Sequence, residues 1–181
     1  ECTIFNAYQL ASEGLVRNQL LTHFASTAPK DNVVLGGFGR FGQTMLEELQ
    51  ERALGELSSV IIIDTDADRR VKIADEQMQF ARGYRRELLD GDIGHPEVWD
   101  RVRHLVELNT PDTAVVLGTG DEAQNLRTAL WIRKEFPAAR VIVRVARDSK
   151  FASEVGEEYD LFSVSIYQLL EENIDRKSTR L

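Results

Sequence analysis

Between residues 31 and 165, short β-branched runs alternate with amphipathic segments, and this alternation restricts the fold more than any other feature of the chain. Strands are expected at Asn32 to Gly36, Ser59 to Asp64, Thr113 to Gly118, Arg140 to Ala146 and Leu161 to Ser165, with a weaker one at Arg86 to Asp90. Helices are expected at Phe41 to Ala53, Ala67 to Phe80, Pro96 to Leu105, Glu122 to Glu135, Ser149 to Glu157 and Ile166 to Asn173. The runs Val60 to Ile63 and Val141 to Val145 are apolar at consecutive positions, as in strands whose two faces are both covered by helices. The pattern predicts an α/β fold, a doubly wound parallel sheet of about six strands. Pro96 suits a first helical position, and Asp121 followed by Gln124 resembles a capping box.

The first thirty residues break this rhythm. They read as a short apolar piece, Cys2 to Phe5, then a helix over Tyr8 to Phe24 and a polar linker, Ala25 to Asp31. The expected organisation is therefore a strand–helix appendage over residues 1–30 and one domain over 31–176. Tyr8-Gln9-Leu10 with Glu13 is echoed at constant spacing by Tyr167-Gln168-Leu169 with Glu172. That echo admits a second reading of residues 1–30, as the last strand and helix of a preceding, similar domain. The chain starts at Glu1 without an initiator Met or a basic-then-apolar leader, so a piece of a longer protein is expected.

Composition narrows the classes of function. With 181 residues, 43% hydrophobic and 29% charged, the chain suits one soluble domain with a sizeable core. The longest aliphatic run, Val60 to Ile63, falls far short of the roughly 20 apolar residues that span a bilayer, so no direct membrane insertion is expected. A net charge of −8 disfavours a nucleic-acid partner. Cys2 is the single cysteine, which excludes an internal disulfide and a cysteine metal cluster, and a cytoplasmic setting follows most simply.

The chemistry concentrates at the loop Gly37-Phe38-Gly39-Arg40-Phe41-Gly42, a Gly-x-Gly-x-x-Gly series that follows a strand and opens a helix. In such a Rossmann loop the first glycine allows the tight turn, the second lets amides approach a pyrophosphate, and the third permits close helix–sheet packing. The helix N-terminus adds free N–H groups and partial positive charge. Asp64, at the end of the next strand and with Thr65 beside it, is placed to accept both hydroxyls of an adenosine ribose. Its carboxylate would repel a 2′-phosphate, so NAD(H), or an adenine nucleotide with free hydroxyls, is preferred to NADP(H). Arg69 and Arg70 complicate that choice, because an Arg here can accommodate the extra phosphate. Gly91 and Asp92 are candidates for the adenine pocket, and Thr119, Gly120 and Asp121 for the distal half of the ligand. Arg144 puts a guanidinium inside an otherwise apolar strand, where it needs either a ligand phosphate or a carboxylate such as Asp121.

Groups that would make an enzyme are missing from the sequence. His23, His95 and His104 lack metal-ligand spacing, and neither a Gly-Lys-[Ser/Thr] loop nor a Tyr-x-x-x-Lys pair occurs.

The ordered series Val-Val-Leu-Gly-Gly-Phe-Gly-Arg-Phe-Gly, Val-Ile-Ile-Ile-Asp, Gly-Asp with Pro-Glu-Val, Asp-Thr-Ala-Val-Val, Asn125 and Val-Ile-Val-Arg resembles the RCK, or TrkA-N, domains over roughly residues 31 to 165. The doubled Gly36-Gly37 is a small departure from their pattern. The resemblance implies a non-enzymatic regulator of a potassium channel or transporter that binds NAD(H) or ATP, ADP or AMP. It implies pyrophosphate contacts at Gly37, Gly39, Arg40 and Phe41, ribose contacts at Asp64, and adenine-side contacts at Asp92 and Ile93. Thr119, Gly120 and Asn125 would border the distal half, and Arg144 matches the Arg such domains carry on the fifth strand. It further implies a homodimer or larger ring at the inner face of the cell membrane, partnered by a membrane subunit or segment, with the Tyr8 to Phe24 helix resembling the crossover helix of an upstream RCK domain. A Rossmann fragment of an NAD-dependent dehydrogenase is the rival reading, and a nucleotide- or redox-binding module without a transporter partner is a third.

Overall fold

A computed structural model describes residues 3–27, 30–78, 83–145 and 161–165, together with positions 154, 156, 158 and 159. Six strands form one parallel sheet: β1 (Asp31–Gly36), β2 (Leu57–Asp64), β3 (Arg85–Asp90), β4 (Thr113–Leu117), β5 (Arg140–Val145) and β6 (Phe162–Ser165). Their order in the sheet is β3-β2-β1-β4-β5-β6, the doubly wound arrangement that the alternating pattern predicts. The order reverses between β1 and β4, where Gly36 lies in register with Ile63 on one side and Leu117 on the other.

Successive side chains of a strand point to opposite faces, so an apolar run feeds two cores. Val33 and Leu35 of β1 face one core, which they share with α3 (Arg40–Ala53) and α4 (Ala67–Gln77). Val34 faces the other, closed by α5 (Pro96–Leu105) and α6 (Glu122–Glu135). The weak signal of β3 follows from its place at the sheet edge, where only Leu89 is buried. The expected helix over Ala67 to Phe80 ends at Gln77 among the described residues. Its last two residues, the expected helix Ile166 to Asn173 and most of Ser149 to Glu157 lie outside them.

The N-terminal segment corrects one expectation. Thr3 to Phe5 are not a strand but the first turn of a helix, α1 (Thr3–Leu15), which continues through a π turn at Val16–Leu20 into α2 (Leu21–Phe24). Neither Gly nor Pro interrupts residues 3 to 13, so nothing stops the helix from reaching back into the apolar piece. Nor does the segment stand apart as an appendage. Ala11, Leu15, Val16, Leu20 and Phe24 are buried in the core that contains Ala114 of β4, Ile142 of β5 and Val164 of β6. Steps of four residues exceed the 3.6-residue turn of an α-helix, and the wider π turn takes up the accumulated drift of this buried stripe. A buried hydroxyl pair, Ser12 Oγ with Thr44 Oγ1 at 2.8 Å, fixes α1 against α3.

Candidate functional site

The carboxyl ends of β1, β2, β3, β4 and β5 converge on a cleft of 440 Å³ at the point where the strand order reverses. Ligands of doubly wound sheets bind in this crevice. Backbone bonds brace its floor: Gly37 N–H donates to Ile63 O (2.8 Å), Gly118 N–H to Gly36 O (2.8 Å) and Gly91 N–H to Asp64 O (3.0 Å).

The three loop glycines have different reasons to be glycine. Gly37 has φ +96°, a conformation that side chains disfavour, and it lies against the backbone of Thr119. A Cβ on Gly42 would collide with the carbonyl oxygen of Gly37, so its absence lets α3 start directly beneath the loop. Gly39 differs, because its φ is −74° and a Cβ there would meet nothing within 4 Å. What its missing side chain leaves is open space above the N-terminus of α3. No side chain caps that terminus, although an α-helix begins with N–H groups that have no intrahelical partner. Two other helix starts at this edge are capped by side chains: Asp121 Oδ1 accepts from Gln124 N–H (2.9 Å) on α6, and Asp90 Oδ1 accepts from Ala67 N–H (2.8 Å) on α4, while α5, also without a side-chain cap, opens on Pro96, which has no N–H to offer. The donors of α3 are thus left for a ligand anion.

Asp64 stands at the end of β2 with its side chain 10% exposed. Its Oδ2 accepts from Phe38 N–H (2.7 Å), while Oδ1 accepts from Asp66 N–H (3.1 Å) and is 2.9 Å from Arg70 Nε. Arg69 is 3.6 Å from Asp66. Both arginines that complicate the cofactor choice are therefore turned to acids. Two cations that line the cleft, Arg40 and Arg144, make no ion pair among the described residues.

Of the candidate ligand contacts singled out from the sequence, Gly37, Gly39, Arg40, Phe41, Asp64, Thr65, Gly91, Asp92, Ile93, Thr119, Gly120 and Arg144 line the cleft. Asp121, which caps α6, and three others do not. Phe38 is fully buried and presents only its N–H to Asp64, and Gly42 is packed against Gly37. Asn125 is 1% exposed and acts as a pin: its Oδ1 accepts from Thr119 N–H (3.1 Å) and hydroxyl (2.6 Å), and its Nδ2 donates to the carbonyls of Thr119 (3.1 Å) and Arg144 (3.3 Å). Asn125 shapes the turn after β4 without facing the cleft. The expected pairing of Arg144 with Asp121 does not form, and among the described residues the guanidinium's only hydrogen bonds are long ones of 3.4 Å to the carbonyls of Gly118 and Thr119.

The capping box at Asp121 is half formed. Gln124 does not return its side chain to the backbone of Asp121 but crosses to Asp92, donating Nε2–H to Oδ1 at 2.6 Å. This bond joins the turn after β3 to α6 and divides the cleft from a second hollow of 360 Å³ between α5 and α6. Gln124 and Tyr8 are cleft residues that the sequence motifs do not reveal, since one resembles a cap and the other lies far from the glycine loop.

A family model described as the TrkA-N domain matches residues 33–158, more than half of the chain. The chain belongs to the TrkA-N domain family. TrkA-N domains are regulatory, nucleotide-binding Rossmann-like domains of potassium transport systems and are not typically catalytic. The match runs from within β1 through β5 and so includes all of the cleft except the wall made by α1. Comparison with curated proteins returned no match. Among the described residues of this TrkA-N domain, no helix is long and apolar enough to cross a membrane, and no cluster of His, Cys, Asp and Glu could hold a metal ion.

Proposed function

We propose that this TrkA-N domain is a cytoplasmic sensor that binds NAD(H) and thereby regulates a potassium channel or transporter. ATP, ADP and AMP are the competing ligands. The observation that carries the reading is the uncapped N-terminus of α3 beneath the open space at Gly39. Free amides at that point, with Arg40 beside them, suit a pyrophosphate. Asp64 suits a ribose with two free hydroxyls, and its ion pair with Arg70 turns that cation away from a 2′-phosphate. This supports NAD(H) over NADP(H).

Regulation requires that the ligand bind two arrangements of the domain with different affinity. The partner in this reading is a membrane subunit or segment at the inner face of the cell membrane, and domains pair into a homodimer or larger ring. Calorimetric and thermal-shift titrations of residues 1–181 with NAD⁺, NADH, NADPH, ATP, ADP and AMP test the ligand. At a hundred times its Kd, the true ligand stabilises the fold by about 2.7 kcal/mol. Silence toward all six would overturn nucleotide binding, and equal affinity for NADPH and NADH would remove Asp64 from the ribose site.

A further inference from the structure

We propose that Tyr8, carried on the N-terminal helix outside the matched region, is a positioning residue of the ligand site and that it couples ligand occupancy to the docking of α1. The inference rests on the nucleotide reading. Tyr8 forms a wall of the cleft, and the guanidinium carbon of Arg144 lies 5.6 Å from the centre of its ring. The ring of Phe41 approaches the same guanidinium at 5.8 Å. Both are within the roughly 6 Å at which an aromatic face attracts a cation.

The arrangement answers a problem that Arg144 poses. Half-buried, it has no carboxylate partner among the described residues and only two long carbonyl contacts, so most of its hydrogen-bonding capacity is unused. Two aromatic faces can orient a guanidinium without neutralising it or occupying its N–H donors. A cation held this way stays available to an anionic group of the ligand. One of the two faces, Phe41, belongs to the glycine loop's own helix. The other comes from a separate element.

That element is held in fixed register. Ser12 is bonded to Thr44, Glu13 is 3.0 Å from Arg52, and Ala11 and Leu15 are buried. Ser12 is one turn from Tyr8 on α1, so the ring keeps its place only while the helix stays docked. Linkage then runs in both directions: if the docked helix strengthens ligand binding by a given factor, the ligand strengthens docking by the same factor.

The test compares wild type, Tyr8→Phe and Tyr8→Leu over residues 1–181. Leucine retains apolar bulk against the core but removes the π face, so the fold is expected to persist. Calorimetry with NADH and ADP should show Tyr8→Phe within about twofold of wild type and Tyr8→Leu weakened about tenfold, or 1.4 kcal/mol. Hydrogen exchange over residues 7–24 supplies the second readout: nucleotide should protect these amides in wild type and Tyr8→Phe, and much less in Tyr8→Leu. Wild-type affinity in Tyr8→Leu, or equal losses in both variants, would overturn the role of the ring while leaving nucleotide binding intact. A wild type that binds neither ligand would overturn both readings.

Discussion

Asp64 Oδ2 accepts a hydrogen bond from the backbone N–H of Phe38 at 2.7 Å, tying the end of β2 to the middle of the glycine loop. The carboxylate expected to hold a ribose is therefore also a brace for the loop expected to hold the pyrophosphate. The two roles reside on one side chain, and substitutions can separate them.

Asp64→Ala removes the brace and the ribose acceptor together, and it should weaken NADH binding by about tenfold or more. A hydrogen bond to a charged group contributes about 1.5–3 kcal/mol, so a loss of stability in that range should accompany it. Asp64→Asn retains an oxygen acceptor for Phe38 N–H and should recover most of the stability. It should also narrow the preference for NADH over NADPH, because the charge that repels a 2′-phosphate is gone. Chemical denaturation and parallel titrations check both statements, and undiminished NADH affinity in Asp64→Ala would remove this residue from the site.

Gly39 and Gly42 should respond oppositely to alanine. At Gly42 the new Cβ collides with the backbone of Gly37, and overpacking of this kind costs about 1–3 kcal/mol or more. At Gly39 the Cβ enters empty space with an ordinary φ, so the melting temperature should hardly move. Nucleotide affinity should nonetheless fall, because the methyl group occupies the space above the amides of α3. Thermal melts beside calorimetry resolve the two, and a Gly39→Ala variant that binds nucleotide like wild type would show that no phosphate approaches there.

Asp31, fully buried at the start of β1, supplies a pH-dependent test of folding remote from the cleft. Burial raises its pKa above the ordinary value of 3.8, and hydrogen bonds from Thr27 partly offset that rise. Both carboxylate oxygens accept from the Thr27 hydroxyl at 2.8 Å. Since the folded pKa exceeds the unfolded one, the native state keeps this proton longer, and the group's contribution to stability falls as pH rises from 3.8 through the folded value. Thr27→Ala removes an influence that lowers the pKa, so its cost should be small near pH 4 and grow toward neutrality to about 1–3 kcal/mol. Urea denaturation at the two pH values reads this difference, and an identical cost at both would sever Thr27 from the ionisation of Asp31.

Much of the molecule was legible because period and punctuation are local. Apolar residues at consecutive positions in Val60 to Ile63 require cover on both sheet faces, and they join one core with α3 and α4 and another with α5 and α6. The bounds of α5 and α6 match the expected Pro96 to Leu105 and Glu122 to Glu135, since proline and aspartate mark those starts in the sequence itself. The glycine loop was equally visible. Its place between a strand and a helix follows from chain order alone.

Side-chain partnership across the fold was not legible. Gln124 has the spacing of a cap yet bonds Asp92. Asn125 has the position of a ligand contact yet is buried as a pin. The cap of α4 comes from Asp90 on a different strand rather than from the adjacent Asp66. The N-terminal helix is the largest case: its apolar stripe could be read, but not that it would cover the β4–β6 side of one sheet face and bring Tyr8 to Arg144. The sequence determined the alternation, the parallel sheet and the glycine loop, because backbone conformation and hydrophobic period act between near neighbours along the chain. Tertiary structure decided which donors stay uncapped, which arginines stay unpaired and which distant helix completes the cleft, because those depend on distances that only packing sets.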